Sequence, residues 1–165
     1  MKKLFFLALL LLAAMSQAAR VYMGHSVTGT AAYNYDIRDG RLYRGHSNTG
    51  TAAYSTERSG TLLRIYRGHS VTGTALFTFD TRDGRLYRGH SITGTAAFTL
   101  SRESSALRIY AGHSITGTAL YAIECKEPVR VYRGHSIAGT ALCAIEDGDE
   151  IPNGLLVFLV ACLLD

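Results

Sequence analysis

The sequence predicts an all-β protein of six tandem β-hairpin repeats of about 22 residues, with about 12 antiparallel strands in a closed or radial array and a short apolar C-terminal helix or strand. Three observations predict this class: a motif that recurs at a fixed period, an alternation of apolar and polar residues within each copy, and Asp-Gly pairs between copies. The motif is Arg-aliphatic-Tyr-x-Gly-His-Ser-x-Thr-Gly-Thr-Ala. Its copies are spaced by 21, 23, 21, 23 and 22 residues and begin at Arg20, Arg41, Arg64, Arg85, Arg108 and Arg130.

Residues 1–18 have the three parts of a secretory signal peptide. Two lysines form the positive region, residues 4–14 the apolar region, and residues 16–18 a small-x-small cleavage site. We therefore expect a mature chain that starts near Ala19, is periplasmic or extracellular, and has no transmembrane span, because the apolar run is too short for one. Without the two lysines, 15 basic residues remain against 13 acidic ones, a balance that argues against a nucleic-acid partner.

Each copy contains two segments with the two-residue period of β-strands. In the third copy Phe77 and Phe79 alternate with Thr78. The segment before the Gly-His-Ser element, such as residues 41–44 in the second copy, is aliphatic and aromatic across the six copies and is the predicted partner strand. A Ser-x-Thr-Gly stretch joins the two segments, so each copy is predicted to be strand, loop and strand.

The connections between copies alternate in length. Copies one and three end in Asp-Gly pairs at residues 39–40 and 83–84, which are strong hairpin signals. Copies two and four end in segments two residues longer, at residues 57–63 and 101–107. Paired copies form units of 44 residues, so the array would be six-fold in its strands and three-fold in its shape. Closure of the sheet would remove the edges that otherwise promote aggregation.

After the repeat domain of residues 19–148, we expect residues 149–165 to form an apolar capping segment. Residues 155–164 are uninterrupted apolar residues, and acidic residues ahead of Pro152 are typical of a helix start. This favours a short buried helix that plugs or caps the array. A buried strand is the alternative, because periodicity cannot separate the two in so short a run.

The sixth copy departs from the motif, with Ala138 in place of Thr and Cys143 in place of an aromatic residue. Terminal repeats are commonly atypical, so we expect this copy to be a degenerate, buried cap. Cys143 is also one of three cysteines, with Cys125 and Cys162. In an oxidising compartment they allow one disulfide, of unassigned pairing, and one free thiol.

The glycines and aromatic residues of the repeat form a recognisable pattern. In the third copy the pattern consists of Tyr66, Gly68, Gly73, Ala75, Phe77, Asp83 and Gly84. It resembles MORN hairpin repeats, although the chain has no Trp, and it is more similar to bacterial beta-flower repeat proteins over residues 20–164. Those proteins share the signal peptide, the units of about twenty residues and the apolar segment after a proline. The resemblance implies a radial or closed arrangement of hairpins and no activity, since these families are uncharacterised.

All histidines of the chain lie at one motif position. They are His25, His46, His69, His90, His113 and His135. In a radial array they would form a ring able to bind a transition metal or to change charge near pH 6. The simpler interpretation, which we favour, is that each His hydrogen-bonds backbone and fixes the shape of its loop. No carboxylate lies at a fixed offset from the histidines to orient a metal-bound imidazole.

The His-Ser pairs do not predict a hydrolase. Adjacent residues of an extended segment point to opposite sides, so each His points away from its own Ser. A nucleophile also needs one base, one acid and one oxyanion hole in a unique arrangement, which six equivalent copies do not provide. The paired glycines are not a phosphate loop, because no Lys follows them. We therefore expect no enzymatic activity and no cofactor.

Two sets of arginines differ in their tolerance of substitution. The first motif arginine is present in every copy and shares a face with the motif Tyr; we expect it to cover that ring and to pair with Asp or Glu of the turns. A second position is Met23 and Ala111 in two copies, which indicates exposure. In the other four copies this position is an arginine, and we consider these arginines, together with the six histidines, candidate ligand-binding residues. They are Arg44, Arg67, Arg88 and Arg133.

These features predict a non-catalytic secreted or periplasmic repeat protein with a structural or binding role in the cell envelope. Its partner would be a glycan, a lipid headgroup or a protein, contacted by six near-identical loops. The alternative is a binder of metal or of a small anionic ligand that uses the repeated Gly-His-Ser loops.

Overall fold

The computed structural model describes residues 18–164, which form a closed barrel of twelve antiparallel strands. Each strand pairs with its neighbours in sequence, and the last pairs with the first. The strands are β1 (Ala18–Met23), β2 (Tyr33–Asp36), β3 (Arg41–Arg44), β4 (Tyr54–Ser59), β5 (Leu62–Arg67), β6 (Phe77–Asp80), β7 (Arg85–Arg88), β8 (Phe98–Glu103), β9 (Ala106–Ala111), β10 (Tyr121–Glu124), β11 (Val129–Arg133) and β12 (Cys143–Glu146). The all-β class and the closure are confirmed. The predicted signal segment lies, except for Ala18, outside the described residues.

The copies fold as strand, loop and strand, as predicted. In the third copy β5 and β6 are antiparallel partners, with Ile65 opposite Phe77. The connections between copies lie at the opposite end of the barrel and alternate. A four-residue turn, residues 37–40, joins β2 to β3, whereas β4 and β5 are longer strands joined by the two-residue turn 60–61. This alternation gives the barrel alternately short and long hairpins at one end.

The inner wall of the barrel is apolar because one parity of every strand faces the lumen. One inner row has the middle residue of each Arg-aliphatic-Tyr element and is fully buried. It consists of Val21, Leu42, Ile65, Leu86, Ile109 and Val131. These residues belong to one continuous core with the apolar side chains of the C-terminal segment. The lumen is therefore filled.

The C-terminal segment is a helix inside the barrel, which confirms the expected plug. Helix α1 (Asn153–Phe158) continues into a π-helical stretch (Leu159–Leu163), and a 3-10 turn (Gly148–Glu150) precedes it. The Phe158 ring lies 5.0 Å from the Tyr54 ring, centroid to centroid. A helix that is apolar on all sides is stable only when it is buried on all sides. No helix of the described residues 18–164 is long and apolar enough to cross a membrane.

The sixth copy is not a cap, and that prediction is wrong. Strand β12 pairs with both β11 and β1, with Ile145 opposite Val21. Cys143 is buried in the wall, whereas Ala138 is exposed on a loop. Atypical terminal repeats protect the open end of a linear array. A closed barrel has no open end, so the sixth copy is an ordinary member of the ring.

The three cysteines are free thiols in the structure. Cys125 is exposed, Cys143 is buried and Cys162 is half-buried near the end of the central helix. Burial raises the pKa of Cys143 to about 12. That thiol therefore stays protonated at neutral pH, and it packs as a small apolar side chain.

Candidate functional site

The outer wall repeats one arrangement of arginine, tyrosine and carboxylate. The motif tyrosines face outward yet are only 3–5 % exposed. Each motif arginine pairs with an acidic side chain. The ion pairs are Arg20–Glu146, Arg41–Asp39, Arg64–Glu57, Arg85–Asp83, Arg108–Glu103 and Arg130–Glu124. The expectation that the motif arginine pairs with an acid is confirmed at every copy.

The tyrosine hydroxyls use the same carboxylates. Tyr66 donates to Glu57 over 3.0 Å, and Tyr110 donates to Glu103 over 3.0 Å. Burial, followed by the neighbouring carboxylate, raises the pKa of both tyrosines above its usual value. Because the carboxylates neutralise the motif arginines, this surface offers little to an external anion, although the buried Nε atoms of Arg20, Arg64 and Arg85 have no hydrogen-bond partner.

The long loops bury these tyrosines by folding back over the outer wall. Each loop lies on the preceding copy: the His46 ring is edge-on to Tyr22 at 6.4 Å between centroids. The first loop lies on the sixth copy, where His25 contacts Tyr132 at 6.5 Å. The carbonyl oxygen of His25 also accepts a hydrogen bond from Arg130, at 3.3 Å. The six loops therefore form a circular belt, which we call the loop belt (residues 24–32 and their five equivalents).

Each loop holds its own shape. The bracketing glycines adopt positive φ, 82° at Gly45 and 95° at Gly50, a region that favours glycine. The motif Ser hydroxyl is within hydrogen-bond distance of the Thr hydroxyl two residues later in five copies. These pairs are Ser26–Thr28, Ser47–Thr49, Ser70–Thr72, Ser91–Thr93 and Ser114–Thr116. The serine is thus engaged inside its loop.

The structure places all six histidines on the loop belt and exposes them. They lie one to a loop around the outside of the barrel and do not converge. In residues 18–164 there is no group of three or more His, Cys, Asp or Glu side chains that could hold a metal ion. The rings of His25, His46 and His113 contact a tyrosine of the preceding copy, and the carbonyl oxygen of His135 accepts a hydrogen bond from Arg108, so these histidines link copies. That each His fixes the shape of its own loop stays a prediction.

The four candidate arginines form a second surface at the loop end of the barrel. Each is the last residue of its strand and lies two positions after a lumen-facing residue, so it is on the inner face of the wall. The four arginines therefore lie around the opening of the barrel at its loop end, which we call the mouth. The central helix ends there: Cys162 lies in a cleft with Arg67 and Arg88. The Arg88 guanidinium lies 5.8 Å from the centre of the Phe77 ring. All four arginines are exposed, as the sequence predicted.

A cleft of about 410 Å³ lies between Arg44 and Arg67. Its other walls are residues of the second copy. They are Tyr43, Thr49, Thr51, Ala53 and Tyr54. Sequence reasoning found the two arginines but missed the threonines and Ala53. The sequence signal that could have indicated this cleft is the residue after Thr-Ala, which is Ala53 in the second copy and Leu in three other copies.

No protein-family model, no curated protein and no solved structure matches the chain.

Proposed function

We propose that this chain is a non-catalytic repeat protein of the cell envelope, secreted or periplasmic, that binds its partner through the loop belt. One observation carries the proposal: six exposed, self-structured loops of nearly the same sequence surround a barrel whose lumen is filled by its own helix. Because the lumen is occupied, a partner meets the outside of the barrel. The exposed residues there include the histidines and threonines of the loops.

The favoured partner is a polymer with repeating units, such as an envelope glycan. Six similar loops at regular angles can engage six units of one polymer, and contacts that are weak singly then add through high effective concentration. Hydroxyl and imidazole groups suit the many hydroxyls of a glycan, since each can donate or accept hydrogen bonds. The resemblance to beta-flower proteins, with their signal peptides, supports the envelope location.

Export is tested by expressing the full chain and sequencing the mature product. We expect periplasmic or extracellular protein that starts near Ala19. Ala18 begins β1, opposite Asp36, so the barrel keeps nearly all of this strand after cleavage. Unprocessed protein retained in the cytoplasm would contradict the envelope proposal.

Binding is tested by retention on isolated envelope glycan with one, two, three and six histidines replaced by Ala. We expect retention to fall with each substitution while the circular dichroism spectrum stays unchanged, because the side chains are exposed. A matched control replaces exposed Ser59, Ser104 and Ser105 at the opposite end of the barrel, and it should leave retention unchanged. Retention that is indifferent to all six histidines would refute the loop belt as the binding surface.

A further inference from the structure

Arg44 and Arg67 differ from the motif arginines in one respect that points to a ligand. The motif arginines all have acidic partners, as described above. Within residues 18–164, Arg44 and Arg67 form no ion pair, and no acidic side chain lines the cleft between them. Two guanidinium groups that face one cleft repel each other, so an anion bound between them would relieve that repulsion and gain charge-assisted hydrogen bonds.

The two arginines are placed to act on one group. Strands β3 and β5 flank β4, and Arg44 lies two residues beyond the level of Arg67. With strands about 4.8 Å apart and a rise of about 3.4 Å per residue, the two arginine backbones are roughly 12 Å apart across the cleft. Long guanidinium side chains from both sides can reach a common anion. Thr49 and Thr51, both exposed on the loop above, add hydroxyl groups to the same cleft.

This cleft differs from the cleft of about 360 Å³ between Arg67 and Arg88, which is lined mainly by apolar side chains beside the end of the central helix. Copies two and three have an arginine on both sides, Arg44 with Arg67 and Arg67 with Arg88. Copy three has Leu76 where copy two has Ala53, and no threonine lines its cleft. Copies one and four keep the small alanine but have Met23 or Ala111 in place of one arginine. The second copy alone combines a small floor with two cations.

We infer that this cleft binds the phosphate of a phosphorylated sugar, with Arg44 and Arg67 on the phosphate and the threonine hydroxyls on the sugar. A phosphate monoester carries up to two negative charges, which matches two arginines with planar donor groups. The volume of about 410 Å³ lies within the range of ligand pockets and exceeds what a bare phosphate fills. Tyr54, half-buried in the cleft, supplies an aromatic wall for the apolar face of a sugar ring. The inference extends the binding role proposed above to one specific chemistry.

The test is calorimetric titration of the purified protein with glucose 1-phosphate, with glucose and inorganic phosphate as separate probes. We expect saturable binding of one glucose 1-phosphate per chain, no binding of glucose, and inorganic phosphate weaker by about tenfold. Arg44→Gln and Arg67→Gln should each weaken binding about tenfold or more, because each removes charge-assisted hydrogen bonds.

Two further variants make the result specific. Ala53→Leu leaves all charges in place and narrows the cleft with the residue that copies three, five and six already hold, so it should weaken binding about tenfold or more without lowering the melting temperature. Arg58→Gln is the matched control: it removes the same charge from an exposed arginine of β4 at the other end of the barrel, and it should change affinity less than about twofold. Absence of glucose 1-phosphate binding, full binding in Ala53→Leu, or an equal loss in Arg58→Gln would each overturn the inference.

Comparison of glucose 1-phosphate with monophosphorylated maltotetraose distinguishes a free sugar phosphate from the phosphorylated end of a glycan as the ligand. Tighter binding of the tetrasaccharide supports the phosphorylated end of a glycan, whereas equal binding supports a free sugar phosphate. The six-histidine variant should bind glucose 1-phosphate normally. The proposal for the loop belt and the inference for the cleft can therefore be refuted independently.

Discussion

The inner and outer walls of the barrel alternate along the same strands, yet the repeat is strict at the outer Arg and Tyr positions of the first strand and loose at one inner position of the second. Outside, the same Arg and Tyr recur in all six copies. Inside, one position of the second strand holds Tyr, Phe or Cys. Its occupants are Tyr33, Tyr54, Phe77, Phe98, Tyr121 and Cys143. The outer wall contacts the next copy, which is the same everywhere, whereas the inner wall contacts one helix that has no six-fold symmetry. Identity at the Arg and Tyr positions thus reflects contacts between copies, and variation at this inner position reflects contacts with the helix.

The largest expected effect comes from the helix side of this comparison. Phe158 is 2 % exposed and contacts the rings of Tyr54 and Phe77 at 5.0 and 5.3 Å between centroids. Phe158→Ala removes these contacts and leaves a cavity, so we expect the free energy of unfolding in urea to fall by about 3–5 kcal/mol. Leu120→Ala, on a residue 41 % exposed, is the control and should cost less than about 0.5 kcal/mol. Equal costs would mean that the helix does not hold the inner wall.

Gly154 should tolerate a side chain poorly. A Cβ there would lie 2.5 Å from the Cβ of Phe79 and 3.0 Å from Cδ2 of Leu63. We expect Gly154→Ala to destabilise the protein by about 1–3 kcal/mol in urea unfolding, although the same change in an uncrowded helix stabilises it. Asn153→Ala, at the exposed neighbouring position, is the control. A stabilising Gly154→Ala would contradict the close packing of helix and wall.

Equivalent outer positions should respond alike. Tyr66→Phe and Tyr110→Phe each remove one hydrogen bond of 3.0 Å to a glutamate. We expect each to lower the free energy of unfolding by about 1 kcal/mol and the two values to agree within about 0.5 kcal/mol. A large difference between them would break the rule that the outer wall is uniform.

The smallest expected effect is a dependence of stability on alkaline pH. Burial and the adjacent carboxylates raise the folded-state pKa of Tyr22, Tyr66, Tyr110 and Tyr132 above the ordinary value of 10.0. A raised tyrosine pKa favours the folded state while the group is protonated, so this stability is complete below about pH 10 and is lost as pH rises through the folded pKa. Urea unfolding between pH 8 and 11 should show the loss, and the double variant Tyr66→Phe, Tyr110→Phe should lose less. An identical pH profile in that variant would contradict the assignment.

Much of the barrel was predictable because its signals are local. The alternation of Phe77, Thr78 and Phe79 predicts a strand with one buried face, and the Asp-Gly pair at residues 39–40 predicts a turn. The apolar run 155–164 indicates burial on all sides, but a ten-residue segment of this kind satisfies a helix and a buried strand equally. Only the space inside the closed wall selects the helix.

The remaining features depend on contacts between distant residues. Closure joins Val21 to Ile145, and nothing local distinguishes such a pair from two open edges. The motif also does not specify whether His46 lies on the tyrosine of its own copy or on Tyr22 of the copy before it. The cleft between Arg44 and Arg67 likewise became visible only when strands β3 and β5 were placed on either side of β4.

Closure of the barrel by β1 and β12 is the central claim, and hydrogen exchange of the native protein tests it most directly. Backbone amides in peptides from β1 and β12 should exchange as slowly as those from β5 and β6, within about tenfold, because all four strands are then paired on both sides. Exchange in β1 and β12 that is faster by about a hundredfold or more would show two free edges, and the array would be open.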